Sequence, residues 1–385
     1  MPDLRRGRTQ EPAEVSLDSS VFVDLSAQTE RRVIVDRVTG HYLGQPHTLL
    51  LEDGRTALVA YPNGHGGPDT LLKRSDDGGD SWSPRLQVPR SFRGPHNAPT
   101  IHRLIAPDGT RRIFLNVSFP AMQSSLSEDD GATWTDLRPM WGCKWRRGYK
   151  GHAPMKSVIP ISGKCYLGMY HDHFESDAGE QIVAPFTSVT GDGGRTWSEP
   201  TRVGQHPEQP GAQPCEPCLL RSPDNGSIVA LLRENSRQYN SLMMTSQDEG
   251  ETWSDMVELP ASLTGDRHIA RYGADGRIVV TMRDMAANSA TYGDFVAWVG
   301  SWDDLQQQQP GQFRVRLLRN HGRPGDTGYA GLEVLPDGQL LSTTYCVLEK
   351  GESPLVVSLR FALDELDGPY SGKCSQNLAF PRSLT

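Results

Sequence analysis

The stretch Ser246-Gln-Asp-Glu-Gly-Glu-Thr-Trp253 decides the fold of this chain, because its pattern recurs. The octet S/T-x-D-x-G-x-S/T-W occurs four times, at intervals of 52, 63 and 56 residues. Its Asp can accept bonds from backbone N–H groups of its own loop, its Gly permits a left-handed turn, and its Trp can pack between sheets. The octets therefore indicate a folding device without a catalytic role, at Ser75–Trp82, Ser127–Trp134, Thr190–Trp197 and Ser246–Trp253.

A second period, made by turn glycines, covers the chain more completely. Each of these glycines follows Asp, Asn or Ser and precedes an apolar run, and they recur every 50 to 63 residues. Units of this length hold four short strands, and six of them predict an all-β fold, a six-bladed β-propeller of four-stranded antiparallel blades. The six turn glycines are Gly54, Gly109, Gly163, Gly226, Gly276 and Gly338.

The same period predicts the domain organisation. We expect residues 1–19 to form a flexible N-terminal extension and residues 20–385 to form a single propeller domain. Val21–Ile34 precedes the first unit and is expected to supply the outer strand of the last blade, which would close the ring. Blades 5 and 6 lack a good octet, and Ser301-Trp302-Asp303-Asp304 is a remnant of one. One short helical turn is expected at Phe361–Leu366.

Composition excludes several classes of function. The formal net charge of −8 argues against a nucleic-acid-binding face, which would be basic. No apolar run approaches the length of a membrane span. Met1–Glu14 lacks the apolar core of a signal peptide, so we expect a cytoplasmic protein or a trimmed secreted one. Of the six cysteines, Cys215 and Cys218 form a lone C-x-x-C, which favours free buried thiols over a metal site, and no cofactor is expected. The oligomeric state stays open.

The turn period also predicts which residues share the face opposite the octets. Asn225-Gly226, between two apolar runs, indicates a β-hairpin in which Glu216 precedes the outgoing strand and Arg233 ends the returning one. Both groups therefore lie at one edge of the sheet. The corresponding positions of the next two blades hold further charged or phenolic residues, which predicts a functional site on this face. Those residues are Asp266, Arg267, Arg283 and Tyr329.

The octets resemble those of the sialidase superfamily, where they are called Asp boxes or bacterial neuraminidase repeats, and the resemblance covers roughly residues 40–350. It implies an exo-acting glycoside hydrolase that releases a terminal, acidic, sialic-acid-like sugar from a glycan. In the family's retaining enzymes a Tyr activated by a Glu attacks the anomeric carbon, and an Asp is the acid/base. Tyr329 resembles the nucleophile, Glu216 its activating base, and Asp69, in a Gly-rich loop, the acid/base.

The family also binds the substrate carboxylate with three arginines, because guanidinium groups pair well with carboxylates. Arg233 resembles one of them. Leu43-Gly44-Gln45-Pro46 stands where the family has a Phe-Arg-Ile-Pro-like motif, and Tyr292-Gly293-Asp294-Phe295 stands where another arginine is expected. Arg267 and Arg283 are the candidates to replace the two missing arginines.

Histidines extend the predicted site. His65 shares a loop with Asp69, and His268 follows Arg267 in the sequence. Imidazoles can donate to sugar hydroxyls or act as acid/base groups, so His65, His171, Asp172 and His268 are predicted to bind substrate. A metal site at His171-Asp172-His173 is disfavoured, because adjacent residues of a strand point to opposite faces.

Two alternatives stay open. A hydrolase of the same fold could act on another sugar by paired carboxylates, such as Asp69 with Glu216 or with Asp172; inverting pairs stand roughly 6.5–9.5 Å apart. The second alternative is a carbohydrate-binding propeller without turnover, since a fold does not fix a function.

Overall fold

The structure, a computed structural model, describes residues 20–65, 67–94, 96–118, 121–141, 151–175 and 179–370. The predicted extension over residues 1–19 lies outside these ranges, as do residues 371–385 of the predicted propeller domain. No helix in the described ranges is long and apolar enough to cross a membrane.

Six β-sheets form a six-bladed propeller of mainly four-stranded antiparallel blades, which confirms the predicted fold. Two strands precede the first blade, β1 (Val21–Asp24) and β2 (Arg32–Asp36). Blade 1 comprises β3 (His47–Leu50), β4 (Ala57–Pro62) and β5 (Thr70–Ser75). Blade 2 comprises β6 (Asn97–Ile105), β7 (Arg111–Ser118), β8 (Gln123–Ser127) and β9 (Arg138–Pro139). Blade 3 comprises β10 (Gly151–His152), β11 (Ser157–Ile161), β12 (Cys165–Glu175), β13 (Gln181–Thr190) and β14 (Thr201–Arg202).

The second half of the ring repeats this plan. Blade 4 comprises β15 (Pro214–Arg221), β16 (Ile228–Glu234), β17 (Leu242–Ser246) and β18 (Val257–Glu258). Blade 5 comprises β19 (Gly265–Tyr272), β20 (Ile278–Asp284), β21 (Phe295–Gly300) and β22 (Phe313–Leu318). Blade 6 comprises β23 (Gly328–Val334), β24 (Leu340–Cys346) and β25 (Leu355–Phe361). The described α-helices are α1 (Trp302–Gln306) and α2 (Asp364–Tyr370), and short 3-10 turns lie at Thr29–Arg31, Arg90–Phe92, Ser162–Lys164 and Ala261–Leu263.

The N-terminal segment joins two blades rather than one. β2 pairs antiparallel with β25 and is the outer strand of blade 6, so the ring closes as predicted. β1 instead pairs in parallel with β22 of blade 5, because a turn at Thr29–Arg31 divides the predicted single segment. The octet remnant also has another role: Ser301 is the N-cap of α1 and forms a capping box with Asp304. The expected helical turn begins later, at Asp364, since Phe361 still belongs to β25.

Each octet closes its own loop and touches the preceding blade. In the first octet, Asp77 accepts a hydrogen bond from the Ser81 N–H at 2.9 Å, and Ser75 Oγ accepts one from the Gly79 N–H at 2.8 Å. The same pair of bonds recurs in the other three octets. A Cβ on the octet glycine would lie 2.5–2.7 Å from a leucine of the preceding blade. These pairs are Gly79 with Leu341, Gly131 with Leu58, Gly194 with Leu104, and Gly250 with Leu167.

The first strands of blades 4, 5 and 6 carry a β-bulge at the edge remote from the octets. The register shifts between Cys215 and Cys218, and at the matching places of β19 and β23. One residue at each bulge has a positive φ, at 49° for Glu216, 59° for Arg267 and 49° for Tyr329. In blade 4, Arg233 pairs with Cys215 at this edge, while Ser246 of the octet pairs with Ile228 at the other edge. The octets therefore lie opposite Glu216.

Candidate active site

The bulges of blades 4 and 6 bring Glu216 and Tyr329 into direct contact, although 113 residues separate them in the sequence. The Tyr329 hydroxyl donates a hydrogen bond to Glu216 Oε1, which is the contact expected of a phenol and its base. Glu216 is only 5 % exposed, and its backbone N–H donates to Nδ1 of His171 at 3.0 Å. His171 therefore fixes the backbone of Glu216.

Asp266 gathers three arginines beside this pair and has no exposed surface. Arg237 donates to both of its carboxylate oxygens, at 2.7 and 2.8 Å. Arg283 Nε donates to Asp266 Oδ2 at 3.0 Å, and Arg233 Nε lies 3.1 Å from Oδ1. Arg233 also donates from Nη1 to Glu216 Oε2 at 3.3 Å, so the two carboxylates are linked through it. The result is a fixed network of guanidinium groups next to the Glu216–Tyr329 pair.

Three basic side chains surround the Tyr329 ring. The guanidinium carbons of Arg267 and Arg283 lie 5.0 and 5.8 Å from the ring centroid, and Nζ of Lys156 lies 5.7 Å from it. Arg267 and Lys156 are buried, with exposed fractions of 0 and 2 %. Arg283 is buried as well, and its Nη1 donates a hydrogen bond to the Thr327 carbonyl at 2.8 Å. Arg267 and Arg283, both predicted to bind substrate, therefore lie within the protein interior.

Burial and charge separate the protonation states of the two central groups. Burial alone would raise the pKa of the Glu216 carboxyl, but Arg233, Arg267 and His171 together hold that pKa well below its ordinary value. Burial, followed by the charge of Glu216, raises the pKa of the Tyr329 phenol well above its ordinary value, against the opposing effect of Arg233 and Arg283. At neutral pH the site therefore holds an ionised carboxylate that accepts from a neutral phenol.

The blade 1 loop residues have other described contacts. Asp69 accepts a hydrogen bond from Asn63 Nδ2 at 3.4 Å and forms a backbone bridge with Arg93. The Tyr42 hydroxyl lies 3.2 Å from Nδ1 of His65. The Tyr42 ring lies 5.8 Å from that of Tyr345, which in turn lies 6.3 Å from that of Tyr329. A row of aromatic rings thus connects this loop with Tyr329, whereas Asp69 has no described hydrogen bond to Glu216 or Tyr329.

The remaining predicted residues, Asp172 and His268, are both buried. Asp172 is buried, and its carboxylate accepts from the His173 N–H at 2.9 Å. His268 is fully buried, and its Nε2 bonds to the Leu263 carbonyl at 3.0 Å, so its described contact is with the protein interior. Within the described ranges, no group of three or more His, Cys, Asp or Glu residues could hold a metal ion.

Lys156, His173 and Arg237 belong to the site although the sequence pattern did not single them out as site residues. The His173 ring lies 5.2 Å from that of His171, since residues two apart on β12 share a face. Lys156 lies two residues beyond Ala153-Pro154, the apolar pair that marks the predicted start of blade 3, and this pair carries no charged group. Arg237 lies in a loop beyond β16, where no period applies.

Several solved structures share this fold at low sequence identity, and two of the three described below are enzymes that act on sugars. A protein of unknown function from Dyadobacter fermentans DSM 18053 superposes with a TM-score of 0.69 at 15 % identity, covering 86 % of this chain and 97 % of that one. The alpha-L-arabinanase of Penicillium chrysogenum gives 0.62 at 16 % identity, over 87 and 98 %. The intramolecular trans-sialidase of Ruminococcus gnavus gives 0.58 at 15 % identity, over 86 and 98 %.

Sequence comparison identifies the family. No curated protein matches the chain significantly. The profile of the BNR repeat-like domain matches residues 66–280, a range that contains all four octets and also Glu216 and Arg233. This match spans more than half of the sequence, so the chain belongs to the BNR repeat-like domain family.

Proposed function

We propose that this protein is an exo-acting glycoside hydrolase in which Tyr329 is the nucleophile and Glu216 is its base. The observation that carries the proposal is the hydrogen bond from the Tyr329 hydroxyl to a buried, ionised Glu216. The phenol oxygen attacks the anomeric carbon while its proton passes to Glu216, and the bond to the leaving group breaks. Water then attacks the same carbon and gives a proton to the acid/base Asp69, the phenolate leaves, and Glu216 returns its proton to the phenolate.

The substrate proposed for this site is a terminal acidic sugar. Four arginines, Arg233, Arg237, Arg267 and Arg283, face only two carboxylates in the described network, those of Glu216 and Asp266. A surplus of positive charge in a buried site favours an anionic ligand. A neutral phenol is also a suitable nucleophile for such a sugar, because a carboxylate would repel the substrate's own charge. Asp69 is proposed to protonate the leaving group, and His65 and His171 to contact the sugar.

A neutral sugar is the second candidate, and Gln45 is the observation that favours it. Gln45 lies in the blade 1 motif Leu43-Gly44-Gln45-Pro46, directly after Gly44, which stands at the family's arginine position. Gln45 has a positive φ of 55°, close to the 49° of Glu216 and Tyr329. An amide in this place would hydrogen-bond a hydroxyl group rather than pair with a carboxylate. The arabinanase among the structural neighbours has a substrate of this neutral kind in its name.

A panel of aryl glycosides tests the proposal. It should include an α-sialoside and an α-L-arabinofuranoside, assayed with the wild-type protein and with Tyr329→Phe and Glu216→Gln. We expect turnover of at least one glycoside, with most of it lost in both variants. Tyr272→Phe is the matched control, because it also deletes one tyrosine hydroxyl. Tyr272 is the last residue of β19, and its hydroxyl donates a hydrogen bond to the Arg221 carbonyl.

Full activity in Tyr329→Phe would refute the tyrosine nucleophile, and activity lost only in Glu216→Gln would favour paired carboxylates. Binding of glycans without turnover of any glycoside would indicate a lectin-like propeller.

A further inference from the structure

Arg267 is a buried cation without a described hydrogen-bond acceptor. None of its three guanidinium nitrogens has a hydrogen-bond partner among the residues that the structure describes. A buried guanidinium normally pairs with a carboxylate, because an uncompensated charge is costly in the protein interior. Its guanidinium carbon lies 5.0 Å from the centroid of the Tyr329 ring, and the charge of Glu216 acts on it as well. The bulge of β19, with a positive φ at Arg267, holds it in this place.

Lys156, in blade 3, is a second buried basic residue next to the Tyr329 ring. Its ammonium group donates to the Ala98 carbonyl at 3.3 Å and lies 5.7 Å from the Tyr329 ring centroid. Burial and then the charge of Arg267 lower the pKa of Lys156 well below its ordinary value, whereas Glu216 raises it. Burial lowers the pKa of Arg267 as well, and the charge of Glu216 raises it, but an arginine side chain stays protonated in proteins. Of the two residues, Arg267 therefore carries the more secure positive charge.

Side chains of blades 3 to 6 surround Tyr329, and most of them are charged. Glu216 on β15 opposes ionisation of the phenol, whereas Arg233 on β16 and Arg283 on β20 favour it. Arg233 and Arg283 are already paired with Asp266, which reduces what each can give to the phenol oxygen. Tyr345 on β24 contributes a neutral ring. Arg267 and Lys156 are the basic groups next to the ring that form no ion pair with a described carboxylate.

We propose that Arg267, aided by Lys156, is a positioning residue that stabilises the negative charge developing on the Tyr329 oxygen. The inference rests on the proposed function and deepens it. Negative charge develops when the phenol proton moves to Glu216 and the oxygen attacks the anomeric carbon. It develops again when water attacks that carbon and the electron pair of the broken bond returns to the phenol oxygen. A fixed cation beside the ring lowers the energy of both steps without touching the sugar.

The test is a titration of the phenol itself. Tyr329 is replaced by difluorotyrosine, whose phenol is more acidic than that of tyrosine, and its fluorine resonance is followed against pH. We expect Arg267→Met to raise the pKa of this phenol by about one unit or more, a tenfold or larger change in its ionisation constant. Lys156→Met should raise it less. Arg267→Lys retains the charge and should restore most of the difference. An unchanged pKa in folded Arg267→Met would overturn the inference.

A second titration covers the case in which removing a cation prevents folding. Glu216→Gln deletes the opposing carboxylate and leaves Arg267 and Lys156 in place, together with Arg233 and Arg283, which stay paired with Asp266. We expect the phenol pKa in this variant to fall below that of free difluorotyrosine, although burial acts in the other direction. A value at or above that of the free amino acid would overturn the inference. Neither titration needs a substrate, so a protein that shows these shifts but hydrolyses no glycoside would refute the proposed function and not the cation effect.

Discussion

Asp266 is the residue on which the geometry of the arginines depends. It is fully buried, and three guanidinium groups surround its carboxylate. Burial would raise the pKa of this carboxyl, but Arg283 and Arg233 lower it, so it stays ionised. Because Arg233 contacts both Asp266 and Glu216, the same network fixes the base of the proposed nucleophile.

Asp266→Asn should destabilise the protein by about 3–5 kcal/mol, because it leaves buried cations without their partner. The measurement is chemical denaturation at neutral pH. Asp76→Asn is the control: Asp76 pairs with Arg74, but its side chain is 73 % exposed, and a surface pair contributes about 0–1 kcal/mol. Equal losses for the two variants would show that Asp266 is not the centre of the network.

The pH dependence of turnover follows from the pKa of Glu216. The base must be ionised, and the charges of Arg233 and Arg267 hold its pKa well below the ordinary value of a glutamate despite burial. Activity that depends on Glu216 is therefore present above that depressed pKa and is lost only in stronger acid. We therefore expect that Glu216 causes no fall of kcat/KM near the ordinary glutamate pKa of about 4.3. If such a fall existed and were due to Glu216, it would disappear in Glu216→Gln. Such a fall would contradict the charge state assigned here.

At the scale of the element, each octet is a loop that is closed by its own hydrogen bonds, and its glycine packs against the preceding blade. Gly250 has a φ of +91°, and a Cβ there would lie 2.5 Å from Leu167 Cδ2. The glycine is required for two separate reasons, the left-handed backbone and the close approach.

A pair of alanine variants separates these two reasons. Gly276 has a similar φ of +86° but nothing within 4 Å of its Cβ position. Gly276→Ala should therefore cost only the backbone strain, about 1–2 kcal/mol. Gly250→Ala should cost a further ~1–3 kcal/mol for overpacking against Leu167. Denaturant unfolding of both variants gives the difference, and equal losses would remove the contact between blades from the explanation.

The sequence predicted these elements unequally well. The octets and turn glycines carry their own local chemistry, so the blades and the edge that bears Glu216, Arg233, Arg267 and Tyr329 could be predicted. The bulges could not be predicted, because Glu216 and Tyr329 adopt a conformation that the residue type itself does not favour. Lys156 reaches Tyr329 through contacts between distant blades, and no periodicity within one blade reveals such a contact.

At the scale of the whole molecule, the ring is closed by the N-terminal strands. β2 completes blade 6, and Asp36 at its end accepts hydrogen bonds from Tyr61 and Arg85 of blade 1. The segment therefore joins the last blade to the first. The sequence predicted this closure, but not the parallel pairing of β1 with blade 5, which depends on where the connecting turn falls.

Deleting residues 1–36 should lower the melting temperature by more than about 5 °C, since it removes both strands and exposes the edge of β25. Deleting residues 1–19 tests the predicted extension and should leave the melting temperature nearly unchanged. Differential scanning calorimetry measures both. If the protein that lacks residues 1–36 melted at the same temperature as the one that lacks residues 1–19, the ring would not need its N-terminal closure.

The most direct test of the proposed Tyr329–Glu216 mechanism is to trap its covalent intermediate. The protein is incubated with a fluorinated glycosyl fluoride of whichever sugar the aryl glycoside panel identifies, digested with protease, and analysed by mass spectrometry. We predict that the sugar is attached to Tyr329, and that Glu216→Gln forms this adduct more slowly. A sugar found on Glu216 or on another carboxylate, or turnover with inversion at the anomeric carbon, would contradict the mechanism.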